Sequence, residues 1–188
     1  MTKEIYLPAE DSYLLAETIK NYLKDNKFNK NQIEKLTALD LGTGSAFQSK
    51  NLILHGLKKE NILALDINQK ALKEAKKLGV KIILSDLFNE IPKIKKFNII
   101  LFNPPYLPEN IFDKNLDTSG GKFGDEVIIE FIKQLPDYLE KEGKAFFISS
   151  SLAKDRWKKE AEKQGLKIEK AGEKRIFFEE LYCWKLGF

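Results

Sequence analysis

Large apolar residues recur at helical spacing near the start of the chain, at Leu14, Leu15, Ile19, Tyr22 and Leu23, which predicts a helix over residues 9–24. Pro8 and the acids Glu10 and Asp11 suit its beginning. A polar connection rich in Lys and Asn follows over 24–32, and then the pattern changes. Short apolar runs at 36–41, 61–66, 80–85, 97–102 and 145–150 read as strands. Helical patterns separate them. One opens at Gly42-Thr43-Gly44-Ser45 and ends near Gly56. A second is capped by Asn68, carries Ala71, Leu72, Ala75 and Leu78 on one face and stops at Gly79. A third covers 125–142 with Val127, Ile128, Phe131, Leu135 and Leu139 inward and a bend at Pro136, and a Lys/Glu-laced fourth covers 153–164. Two β-like stretches, 166–169 and 180–186, finish the chain.

Alternating strands and helices predict an α/β fold, a mostly parallel sheet covered by helices on both faces. With the two terminal β stretches the expectation is a Rossmann-like, seven-stranded sheet whose last strand is antiparallel. The 188 residues fit one domain: an N-terminal helix at about 9–25, a core at about 36–165 and a C-terminal β segment at about 166–188. Residues 107–124 carry no period and include Ser119-Gly120-Gly121-Lys122-Phe123-Gly124, and an unpatterned segment of that length in a compact domain is commonly functional or disordered.

Composition narrows the chemistry. Cys183 is the only cysteine and His55 the only histidine, so intrachain disulfides and His-rich metal sites are excluded, chemistry here must manage largely without imidazole or thiolate, and no carboxylate cluster suggests a metal. The net charge of +4 comes almost wholly from lysine, since Arg156 and Arg175 are the only arginines, and the basic runs are broken by acids and apolar residues. That is the pattern of solvated faces more than of a nucleic-acid footprint. No apolar stretch approaches the ~20 residues of a membrane span and the N-terminus lacks a leader pattern, so a cytoplasmic protein is expected.

Ligands of open parallel sheets bind outside the carboxyl ends of the strands. There the first four strands present Asp40, Asp66, Asp86 and Asn103. Each alone is as readily a helix cap or turn former; in succession they suggest a site. Gly42 and Gly44 permit a tight turn and close ligand approach, but Phe47 replaces the third glycine of a dinucleotide fingerprint, and Asp40 would repel a pyrophosphate. S-adenosylmethionine has no phosphate and offers an ammonium and a sulfonium that acidic tips favour. Asp66 is placed for its ribose hydroxyls, Asp86 for its adenine amino group with Leu87 on the ring, and the helix start around Ser12 for its carboxylate. Asn103-Pro104-Pro105-Tyr106 follows the fourth strand directly. Proline holds its neighbours extended, so the Asn103 side chain and the Pro104 carbonyl become fixed acceptors suited to a planar –NH2, with Tyr106 stacked on it. Orientation then supplies much of the catalysis without a strong base.

The NPPY tetrapeptide resembles the signature of class I methyltransferases acting on amide or exocyclic amino nitrogens. Pro8-Ala9-Glu10-Asp11-Ser12-Tyr13-Leu14-Leu15 and the segment from Gly120 to Val127 are similar to those of archaeal and eukaryotic HemK-like enzymes, which methylate the glutamine of the Gly-Gly-Gln loop in class I peptide release factors. Bacterial relatives carry an added N-terminal helical domain for which 188 residues leave no room. The resemblance implies cofactor contacts at Ser12, Asp40, Gly42, Gly44, Asp66, Asp86, Leu87 and Asn103, and substrate contacts at Asn103, Pro104, Pro105 and Tyr106. Ser12 stands where threonine is common, and Ala46-Phe47-Gln48 departs from the family's turn. It also implies a small zinc-binding activator subunit along the edge of the third strand, against which stands an edge covered by the chain's own segments. Three other readings stay open: an N6-adenine or other nucleic-acid amino methyltransferase, a nicotinamide-dependent oxidoreductase, and a binding-only protein that keeps the fold.

Overall fold

The alternation of period-2 and period-3.6 segments produces a three-layer α/β sandwich in a computed structural model that describes residues 4–109 and 119–188. Helix α1 (Glu10–Asp25) is followed by the short α2 (Lys30–Ile33), strand β1 (Ala38–Leu41), α3 (Phe47–Leu54), β2 (Ile62–Asp66), α4 (Gln69–Lys77), β3 (Lys81–Leu84) and β4 (Phe97–Phe102). Then come α5 (Glu126–Tyr138), β5 (Leu139–Ser150), α6 (Trp157–Lys163), β6 (Lys167–Ile176) and β7 (Glu179–Gly187). The described residues build a seven-stranded sheet in the order β3-β2-β1-β4-β5-β7-β6. Strands β1 to β5 pair in parallel, while β7 runs antiparallel to both β5 and β6, as the sequence predicts for the last strand.

Alternate strand residues bury into opposite layers. Leu39, Leu41, Leu63, Leu65, Ile100, Phe102 and Phe147 face α5 and α6, where Phe131 and Trp157 are completely enclosed. Ala38, Ile62, Ala64, Ile99, Leu101, Phe146 and Ile148 face α1 and α3 through Leu15, Ile19 and Leu52. Each large apolar side chain so enclosed contributes about 1.5–3 kcal/mol.

Several boundaries differ from the pattern-based expectation. The helix expected to reach residue 142 stops at Tyr138, and Leu139 already pairs with Phe97 as the first residue of β5. Pro136 cannot continue the helix ladder, and Gly143 lets the strand bulge: a Cβ there would lie 2.8 Å from the Phe97 carbonyl oxygen. The helix expected over 153–164 is the shorter α6. Strand β6 runs well past residue 169, because its charged residues lie on an outer edge where no apolar period is required. It bulges at Gly172, where a Cβ would meet Thr18 Oγ1 of α1 at 2.6 Å.

Strand order decides where a ligand can sit. β1 has β2 on one side and β4 on the other, so the connections leaving β1 and leaving β3 diverge and open a crevice at the carboxyl ends of β1 and β4. Leu41 is level with Leu65 and Phe102, which brings Gly42, Asp66 and Asn103 to one height just beyond the sheet.

Candidate active site

A cleft of about 300 Å³ occupies this crevice. Every residue that the sequence nominates lines it: Ser12, Asp40, Gly42, Gly44, Asp66, Asp86, Leu87, Asn103, Pro104, Pro105 and Tyr106. The structure also supplies Asp11, Gln48 and Phe47.

The floor is the turn after β1. Gly42 and Gly44 take φ values of +63° and +52°, a backbone region that costs residues with a Cβ about 1–2 kcal/mol. Ala46 nevertheless follows at φ +60°, just before α3. Asp40 is buried beneath, and its Oδ2 accepts from Thr43 Oγ1 at 2.7 Å, Ser49 N at 3.0 Å and Ser49 Oγ at 2.6 Å. Burial pushes this carboxyl above its ordinary range against the downward pull of those hydrogen bonds. One oxygen of Asp40 is therefore spent on shaping the loop. Asp66 is tied in as well: Oδ2 accepts from Gly44 N at 2.9 Å and Oδ1 from Asn68 N at 2.8 Å. Asp86 is exposed, and Leu87 beside it sits at φ +48°, its carbonyl held by the Ser85 hydroxyl at 2.9 Å.

The roof differs from expectation. The Ser12 N–H at the start of α1 is not open, because it donates to its neighbour Asp11 Oδ1 at 2.5 Å, as does the Ser12 hydroxyl at 3.1 Å. The other Asp11 oxygen accepts from Tyr6 at 2.8 Å and Tyr106 at 3.0 Å. Burial, then the Asp11 charge, push both phenols well above their usual range, so they stay protonated donors. Tyr106 is thus oriented from a residue 95 positions away. In the sequence Asp11 reads merely as a first-turn acid, and a near-complete burial of that acid was the signal it could not show.

Asn103 is half-buried beside Pro104, which is fully buried. Its Nδ2 makes a long contact of 3.5 Å to Ser12 Oγ, and its Oδ1 is buried with no hydrogen-bond partner among the described residues. An orphan acceptor of this kind costs about 1–3 kcal/mol, and a ligand donor would recover it. The corner is braced from behind by the glycine segment. A Cβ on Gly120 would approach Pro105 O to 2.6 Å, and one on Gly124 would approach Tyr106 O to 2.6 Å. Gly120 N donates to Leu107 O at 2.8 Å, and Leu107 bridges Ser119. The intervening residues 110–118 of the unpatterned segment lie outside the described residues. Among the described residues no group of three or more His, Cys, Asp or Glu is arranged to hold a metal, and no helix is long and apolar enough to cross a membrane.

A cleft at the switch point, a glycine turn, acidic tips and an unpaired amide acceptor form a set chemically suited to a cationic, phosphate-free nucleoside and a flat nitrogen. Comparison with known proteins agrees with that description. Along its full length the chain is similar to a protein named as a protein N5-glutamine methyltransferase of Methanocaldococcus jannaschii, with 34% identity over 97% of this chain and 93% of the relative. It is 34% identical to a release factor glutamine methyltransferase of Leptospira interrogans over 57% of this chain, and spans 38% of that longer relative. The fold matches the E. cuniculi Mtq2-Trm112 complex, described as responsible for methylation of the eRF1 translation termination factor, with a TM-score of 0.73, 23% identity and coverage of 98% of this chain and 99% of that one. The model of the methyltransferase small domain matches residues 14–157, which run from within the first helix through the strand tips and the NPPY corner, and the chain belongs to that family.

Proposed function

We propose that residues 1–188 act as one S-adenosylmethionine-dependent methyltransferase domain that methylates the side-chain amide nitrogen of the glutamine in the Gly-Gly-Gln loop of a class I peptide release factor. The observation that carries this reading is the orphaned Asn103 Oδ1 at the rigid Pro104-Pro105 corner. It is a buried acceptor fixed before any substrate arrives, and a primary amide brings the N–H it lacks. The Pro104 carbonyl receives the second N–H. When bound, the cofactor supplies an electrophilic methyl group on a positively charged sulfur. The chain's own residues orient: Asn103 and Pro104 set the plane of the nitrogen, and Tyr106, anchored on Asp11, flanks it. Asp66 takes the ribose hydroxyls at the β2 tip, Asp86 and Leu87 the adenine, Gly42 and Gly44 the close approach of the backbone, and Asp40 and Ser12 the amino-acid end. The fit rests on chemistry present here: the buried oxygens of Asn103 and Gln48, unpaired among the described residues, acidic surroundings and, among the described residues, no cationic side chain lining the cleft to repel a sulfonium.

The protein substrate is favoured over a nucleic acid by the similarity to glutamine methyltransferases and by the modest net charge of +4. For the activator subunit the support is β3, an edge strand whose Leu84 is 46% exposed, together with the fold likeness to a protein solved as a complex with Trm112. The deciding experiment incubates the protein, with and without a small zinc-binding activator, with methyl-labelled cofactor and either release factor or tRNA. Label on the Gly-Gly-Gln peptide supports the assignment. Label on RNA alone transfers the activity to exocyclic amino groups and overturns it.

A further inference from the structure

Gln48 is the second buried amide in the cleft, and neither the strand-tip argument nor the family pattern assigns it a task. It is the second residue of α3 and only 6% exposed. The left-handed Ala46 turns the chain so that Phe47 and Gln48 both line the cleft. Its Nε2 donates to Ser12 O at 2.8 Å, which fixes the amide's orientation, since a reversed amide would set oxygen against oxygen. Oε1 therefore points away from α1, buried and without a partner among the described residues. It shares that state with Asn103 Oδ1, and both amides bracket Ser12, one through its carbonyl and one through its hydroxyl.

An unpaired oxygen calls for a donor, and this excludes a carboxylate as its ligand. In the methyltransferase reading the donors of the nucleoside would be taken by Asp66 and Asp86 at the β2 and β3 tips. On the α1 side three of the four carboxylate oxygens are already engaged. Asp11 accepts on both oxygens from Ser12, Tyr6 and Tyr106, and Oδ2 of Asp40 is taken by Thr43 and Ser49. Their negative charges nevertheless remain close and favour a cation there. We propose that Gln48 Oε1 is a receptor for the α-ammonium of the cofactor, and that Gln48 joins α1 to the glycine turn so that Ser12 and Asn103 keep their spacing. The inference rests on the methyltransferase reading above.

Isothermal titration with three ligands tests it: S-adenosylhomocysteine, its decarboxylated form, which keeps the ammonium, and 5′-methylthioadenosine, which has the nucleoside and sulfur but no ammonium. Gln48→Met, which keeps the side chain's length and volume, is expected to weaken the first two by about tenfold, the scale of one hydrogen bond to a charged group, and the third by less than twofold. Gln48→Leu repeats the measurement, with 5′-methylthioadenosine affinity reporting that the cleft is formed. Unchanged S-adenosylhomocysteine affinity, or an equal loss for all three ligands, overturns the ammonium contact. Failure of the unaltered protein to bind any of them overturns the methyltransferase reading itself.

Discussion

Asn103 shows how its neighbours fit one residue for the role proposed for it. Asparagine after a strand is a common turn former, and nothing in its local geometry demands a ligand. Burial between Pro104 and Ser12 removes the solvent that would otherwise satisfy Oδ1. Replacing Asn103 by Ala is expected to reduce methyl transfer below detection while leaving thermal stability and most cofactor affinity intact, because it removes an unsatisfied acceptor and fills no structural gap. Wild-type turnover in that variant would dispose of the two-acceptor clamp. Tyr106 depends on its partner in the same way, and its phenol is held by Asp11 more than by the tetrapeptide itself.

At the level of elements, the glycine segment and α5 act as a rear buttress for the NPPY corner. Gly120→Ala would drive a methyl group against Pro105 O and Gly124 O, both backbone atoms that cannot rotate away. The expected outcome is a large loss of kcat with cofactor affinity within about threefold, a 0.7 kcal/mol difference. A silent Gly120→Ala would show that the corner tolerates displacement. The buttress is pinned by charges: Arg156 pairs with Asp125 and Glu126, and both Glu126 oxygens receive the Phe123 N–H at 3.2 Å. Burial alone would raise the Glu126 carboxyl, but the backbone N–H donors and Arg156 outweigh it and hold it below the usual range. A depressed folded-state value means stabilisation that is fully present above the ordinary carboxyl pKa of 4.5 and lost as pH falls from there through the lower folded-state value. The difference in thermal midpoint between wild type and Glu126→Gln should therefore be visible at pH 6 and shrink progressively as the pH falls below 4.5. A constant difference across that window would assign Glu126 no electrostatic role.

The sheet of the whole molecule leaves two edges, and they are treated differently. β6 is lined with Lys170, Glu173, Lys174 and Arg175, a charged edge of the kind that resists strand addition. β3 offers Ile82, Ile83 and Leu84 at partial exposure, and under the proposed partnership it is the edge on which an added subunit would extend the sheet. Leu84→Asp is expected to abolish co-purification of a small activator without shifting the thermal midpoint of the isolated chain. Retention of the complex would move the contact elsewhere. The same sheet order explains why the cleft lies where it does, since Asp40 and Asn103 come from adjacent strands separated by two helices and two strands of sequence.

By itself the sequence determined what local rules govern: the alternation of strands and helices, the acidic tips at Asp40, Asp66 and Asp86, the glycine turn and the stiff double-proline corner. Periodicity and restricted torsions are properties of a few neighbouring residues, so they survive without knowledge of the fold. The tertiary structure decided which of those groups are free to bind. Asp11 held by Tyr106, the orphaned oxygens of Gln48 and Asn103, and glycines pressed against the proline corner all depend on residues distant in the sequence. Hydrogen-bond saturation and burial are set by such distant partners, and a polar side chain becomes a receptor only where they leave it unpaired.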